Sequence, residues 1–114
     1  MIVEQVWTGN AYRNFNYLIA CPETGEALAI DPLDFNKCLA VAKERGWDIT
    51  QVLNTHEHGD HTGGNPAIHS HGSEIMAHPN TLVAMQRSAA SDPLLLPAVP
   101  DRTVDEGDTF KMGG

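Results

Sequence analysis

The chain reads as an α/β domain, and three observations carry that reading. Short runs of alternating or continuous apolar residues near the start, each closed by turn formers, mark paired strands. A run with apolar residues at i, i+3, i+4 and i+7 marks an amphipathic helix, and a further apolar strand after it ends in a dense group of histidines.

In chain order, Ile2 to Trp7 and Asn16 to Ala20 predict strands, and Pro22-Glu23-Thr24-Gly25-Glu26 predicts the turn into a third, Ala27 to Asp31. Together they form a meander. Asp34 stands as a helix N-cap before Phe35, Cys38, Leu39 and Ala42, and Gly46 ends the helix, which covers one face of the sheet. Ile49 to Leu53 reads as a buried strand whose carboxyl end delivers Asn54 and Thr55 into the histidines, and open α/β sheets hold their ligands at such ends. Gly63 and Gly64 permit a tight backbone path, Asn65 and Pro66 start a helix through His69, and a strand at Glu74 to Ala77 leads to a helix from Pro79 to about Arg87. Ser88 to Thr103, rich in Pro, Ala and Ser, reads as a lid-like loop, and Val104 to Lys111 as the beginning of a hairpin. The sequence shows no internal repeat or low-complexity tract.

Composition narrows the classes. A chain of 114 residues with 41% hydrophobic content fits one small domain or part of a larger one. The formal charge of −8 and only seven scattered basic residues argue against a nucleic acid or an anionic membrane as partner, because phosphate binding rests on clustered Lys and Arg. No basic region precedes a long apolar run at the N-terminus, and no stretch approaches membrane-spanning length, so the expected location is cytoplasmic. The two cysteines, Cys21 and Cys38, are expected to be reduced and packed.

The chemistry is concentrated in Thr55-His56-Glu57-His58-Gly59-Asp60-His61, where four metal-ligand side chains fall within six residues. Imidazole and carboxylate suit borderline divalent metals such as zinc. A regular helix could not aim His56, His58 and His61 at one point, since positions i and i+2 diverge, whereas a turn after a strand could. A solvent-exposed polar run would not bring acid, glycine and strand context together in this way. Glu57 does not complete a zincin motif, because the residue four after His56 is Asp60, so it is read as solvated or as supporting a ligand.

This segment with Gly63-Gly64 resembles the signature of the metallo-β-lactamase superfamily. Asn14-Phe15-Asn16-Tyr17-Leu18-Ile19 and Ala29-Ile30-Asp31-Pro32 resemble the opening strands of its glyoxalase II-like branch, the hydroxyacylglutathione hydrolase-like thioester hydrolases, with Leu33 where those relatives usually carry glycine. The resemblance implies an αββα sandwich of which residues 1–114 are the N-terminal half, part of a single domain. It also implies a site for two divalent ions, zinc with iron or manganese as alternatives. His56 and His58 would hold the first ion and Asp60 and His61 the second, with Asp60 also accepting a proton or steering hydroxide. The remaining ligands of the family would lie after Gly114, so this chain is expected to carry half of a site, with weak metal binding alone. The implied reaction is hydrolysis of a small-molecule thioester or ester by a metal-activated hydroxide.

Two other readings compete. A persulfide dioxygenase-like enzyme would use a single iron held by two histidines and an aspartate. A truncated, non-catalytic protein with a vestigial half-site would self-associate, a homodimer covering apolar surface that truncation exposes. A flavodiiron-type oxidoreductase is disfavoured, since that group generally places a glutamate where His58 stands.

Outside the cluster, His69 and His71 are expected at a helix end or surface, and His78 at a structural or rim position. Asp31 is open between orienting a metal-binding histidine and capping a turn. Met76, Met85 and Trp47 are expected in the core, and Tyr12 and Asn14 are weak candidates to face substrate.

Overall fold

A computed structural model describes residues 1–9, 15–55, 62–94 and 99–110. Six strands among them form one mixed sheet in the order of the sequence. β1 (Ile2–Trp7) runs antiparallel to β2 (Phe15–Ala20), with Ile2 opposite Ala20 and Trp7 opposite Phe15. β2 runs antiparallel to β3 (Glu26–Ile30) through a turn that closes with the Gly25 amide on the Cys21 carbonyl at 2.9 Å. From β3 onward the sheet is parallel, through β4 (Asp48–Asn54), β5 (Glu74–Ala77) and β6 (Arg102–Thr103).

The change to parallel pairing follows from what lies between the strands. Parallel neighbours need a crossover, and α1 (Phe35–Arg45) supplies it between β3 and β4. The Asp34 carboxylate accepts from the Lys37 amide at 3.1 Å, capping the first turn. Gly46 takes φ 75° at the other end, and the Trp47 amide returns to the Ala42 carbonyl at 2.8 Å, so the last carbonyls are satisfied before β4 begins. α2 (Asn65–His71) and α3 (Pro79–Ser91) make the later crossovers. α2 runs two residues past the His69 expected from sequence, to His71, and Gly72 caps it at φ 91°. α3 is capped by His78, whose Nδ1 accepts from the Asn80 amide at 3.1 Å.

The long loop expected from Ser88 to Thr103 is corrected at both ends. α3 continues through Ser91, because alanine favours helix and Ala89 is buried, and the break falls at Asp92, which takes the extended backbone that a following proline favours. Arg102 and Thr103 form an edge strand on β5. No strand follows Val104 among the described residues. A turn takes the place of the expected hairpin start, with Gly107 at φ 86° and the Asp108 amide on the Asp105 carbonyl at 3.0 Å.

The core lies on the helix-covered face. Leu18, Ala20, Ala27, Ala29, Ile49, Val52 and Ile75 from the strands meet Phe35, Cys38, Ala42 and Ile68 from α1 and α2. Burying a side chain such as Leu18 stabilises the fold by about 1.5–3 kcal/mol. Both cysteines are free thiols; Cys38 is packed in the core as expected, whereas Cys21 stands only half-buried outside it. Met76 and Met85 are buried and Trp47 packs at the core's margin. On the other face, Val3, Trp7, Phe15 and Tyr17 alternate outward and stay exposed, with the Trp7 and Phe15 rings 4.8 Å apart. No helix among the described residues is long and apolar enough to cross a membrane.

Candidate metal centre

The residues that flank the histidine cluster build a polar frame at the carboxyl edge of β3 and β4. β3 ends at Ile30, and Asp31 turns the chain with φ 46°, a left-handed conformation that aspartate tolerates better than most residues at a cost of roughly 1–3 kcal/mol. The surroundings over-determine it. The Asp31 amide donates to the Leu53 carbonyl at 3.0 Å, and the Asn16 side chain donates to the Asp31 carbonyl at 2.8 Å. Asn16 Oδ1 in turn accepts from the Asp34 amide at 3.1 Å, tying the turn to the start of α1.

With its backbone held, Asp31 presents its carboxylate to β4. Oδ1 accepts from the Thr55 amide at 2.8 Å and Oδ2 from the Thr55 hydroxyl at 2.5 Å. Thr55 is the residue immediately before His56. Of the two roles open to Asp31 from sequence, these bonds supply the capping one, the carboxylate holding the strand end before the cluster, while the histidine-orienting one concerns residues outside the described ones.

The far side of the cluster meets the same turn. A Cβ at Gly64 would lie 1.9 Å from the Pro32 carbonyl oxygen, a separation no side chain can occupy, so only glycine lets the chain pass here. Leu33 sits in this turn without left-handed backbone, since Asp31 is the one non-glycine residue with positive φ among the described residues. Leucine at that position therefore meets no conformational penalty.

Beside the frame, the Cys38 thiol donates to Asn16 Oδ1 at 3.8 Å, and burial pushes its pKa up to about 12. It is a protonated partner of the frame and not a nucleophile.

A sequence profile describing the metallo-beta-lactamase superfamily matches residues 15–114. The chain belongs to this superfamily. Its sequence is 60% identical to a hydroxyacylglutathione hydrolase of Polaromonas sp. (strain JS666 / ATCC BAA-500), over 99% of this chain and 39% of the relative. It is 79% identical to the hydroxyacylglutathione hydrolase of Nitrosococcus oceani over 68 residues, which is 60% of this chain and 26% of that relative. The chain spans well under half the length of the curated relatives it matches. Among solved structures, that of ETHE1 from Myxococcus xanthus superposes with a TM-score of 0.75 at 22% identity, covering 99% of this chain and 44% of the other, a likeness of fold. The mixed sheet with its crossover helices is accordingly the α/β arrangement of the N-terminal part of a metallo-beta-lactamase fold.

The superfamily's signature ligands as expected here, His56, His58, Asp60 and His61, lie outside the described residues, as do Glu57, Tyr12 and Asn14. Among the described residues, no three His, Cys, Asp or Glu side chains gather into a metal-binding group. The remaining histidines take the structural roles expected of them. His69 on α2 faces both Asp101 carboxylate oxygens at 3.1 Å, and His71 ends α2 with its ring edge on Phe35. His78 caps α3 and reaches Asp105 at 3.1 Å. Asn16 is a member of the frame to which the sequence alone gives no role, although it lies in the Asn14 to Ile19 stretch that carries the family resemblance. A physical signal for it is its buried-phase position in β2, between Phe15 and Tyr17 that face outward, where a polar residue demands a partner.

Proposed function

We propose that this chain carries the first metal-binding segment of a metallohydrolase that cleaves a small thioester, of the hydroxyacylglutathione kind that the curated relatives' name describes. The observation that carries the reading is the double hold of Asp31 on Thr55, which anchors the strand end from which His56 starts. The donor chemistry fits a divalent ion, since three imidazoles and a carboxylate follow that anchored residue within six positions. His56 and His58 would hold one ion, Asp60 and His61 a second, with zinc the expected metal.

When bound, such ions supply a water acidic enough to ionise near neutral pH and an electrophile for the acyl carbonyl. The chain's own residues do the rest. Asp60 would accept the proton of the attacking water or orient it, and Asp31, Gly64 and Asn16 hold the two flanks of the segment. A thiolate leaves readily, so no strong general acid is required on the leaving group.

The test is metal analysis of the purified chain with turnover of an acylglutathione followed by thiol release. Weak zinc binding abolished by His58→Ala, with little thioester cleavage by this chain until the family's remaining ligands are supplied, is the expected result. Oxygen consumption with a persulfide and no thioester cleavage would replace this reading with the mononuclear iron one. A second reading, a non-catalytic self-associating protein, draws on the exposed row of Val3, Trp7, Phe15 and Tyr17. A homodimer covering that row would bind no metal at stoichiometric level, and light scattering on the same sample distinguishes it.

A further inference from the structure

Asn54 closes β4 and Asn65 opens α2, and their side chains are buried at 1% and 0% exposure. A primary amide has two donors and a two-lone-pair acceptor, and taking it out of water without partners is costly. These two answer one another. Asn65 Nδ2 donates to Asn54 Oδ1 at 2.7 Å, and Asn54 Nδ2 donates to Asn65 Oδ1 at 3.4 Å.

The positions matter as much as the bonds. Everything between the two amides is the stretch from Thr55 to Gly64, which contains His56, His58, Asp60 and His61. Asp31 grips the start of that stretch, through Thr55, and the Pro32 carbonyl meets its end, at Gly64. The amide pair joins start to end directly. Apolar contact across the same gap would have no direction and would tolerate sliding. A pair of facing amides specifies one separation and one orientation.

We infer that Asn54 and Asn65 form a clasp that sets the distance between the two ends of the segment Thr55 to Gly64. They are positioning residues and not ligands. The inference rests on the proposed reading of the segment as metal-binding, yet the clasp itself has a readout without metal.

The experiment uses the 114-residue chain with Asn65→Ala, Asn54→Ala and the double variant N54A/N65A. Metal-free hydrogen exchange by mass spectrometry reports on peptides from 55–64 against peptides from β2 and β4, and cobalt(II) titration followed by visible absorption reports affinity. Each single variant deprives one buried amide of its facing partner, so thermal stability falls, exchange in 55–64 rises about fivefold or more, and cobalt affinity falls about tenfold. The double variant removes both polar groups and loses less thermal stability than the two single variants summed, while exchange stays fast and cobalt binding stays weak. A pair that serves only folding would instead show that partial recovery in all three together in the double variant, and that result overturns the clasp, as do single variants with unaltered exchange and affinity. Should a single variant fail to fold, the double variant decides. A parent chain that binds no cobalt, with exchange still accelerated in the variants, leaves the clasp standing and removes the metal reading.

Discussion

The helix-covered core and the polar frame at the carboxyl edge of β3 and β4 are held together by different physics. The core, from Leu18 and Val52 to Ile75 and Phe35, is stabilised by apolar area, which is large, additive and indifferent to small shifts. In the frame, Asp31, Thr55, Asn16, Asn54 and Asn65 each satisfy a named partner, and Gly64 passes a carbonyl at a distance no other residue allows. Its net energy is small, because hydrogen bonds to water are exchanged for bonds within the protein. What it contributes is direction. The core decides whether the sheet forms, and the frame decides where the strand end after β4 points.

That division predicts separable losses. The largest effect falls in the core, where Ile75→Ala should cost about 3 kcal/mol in urea unfolding, through lost burial and a cavity. Cobalt affinity of the folded protein should remain within about twofold, since no frame partner is removed. Loss of affinity in step with stability would show that the two regions act as one. Next, Asp31→Asn keeps a side chain that tolerates the left-handed backbone but removes one of the two acceptors for Thr55. A smaller destabilisation of about 1–2 kcal/mol should accompany a roughly tenfold loss of cobalt affinity. Equal metal binding in this variant would mean that Thr55 is placed without its help.

The smallest effect tests the seam. Cys38 touches core and frame at once, packing in the cluster while donating to Asn16. Its folded pKa, about 12, lies above the ordinary 9.0, so the fold favours the protonated thiol. That contribution is complete below pH 9, and stability falls as pH rises from 9 toward 12 because the unfolded chain loses the proton first. At pH 10 the loss is on the order of 1 kcal/mol relative to pH 8. Cys38→Ala should lose less between those two pH values by that amount, measured by paired urea titrations. An identical pH dependence in both proteins would place the thiol in a more open setting than its burial indicates.

Much of the fold is legible in the sequence. The meander through Ala20, the cap at Asp34, the stop at Gly46 and the strand ending at Asn54 all follow from periodicity and local chemistry, because each signal lies within the segment it governs. The end of α3 is misread where composition stands in for pattern: Ser, Ala and Pro near Ser88 suggest a loop, while buried Ala89 and Pro93 set the true boundary. β6 is invisible because two residues carry no period, and their strand character comes from pairing with Met76 and Ala77. For the candidate site the same contrast holds. Residue types and spacing from His56 to His61 name a chemistry, and the superfamily match agrees with it.

The sequence by itself determined the α/β class, the donor set of the expected chemistry and the place of that set after an apolar strand, since ligand types and periodicity are local properties. The tertiary structure alone decided that Asp31 reaches Thr55 across 24 positions, that Gly64 passes under Pro32, and that Asn54 faces Asn65. Hydrogen bonds between residues far apart in the chain depend on the sheet's register and the crossover of α1, and no local pattern encodes which polar groups those will bring face to face.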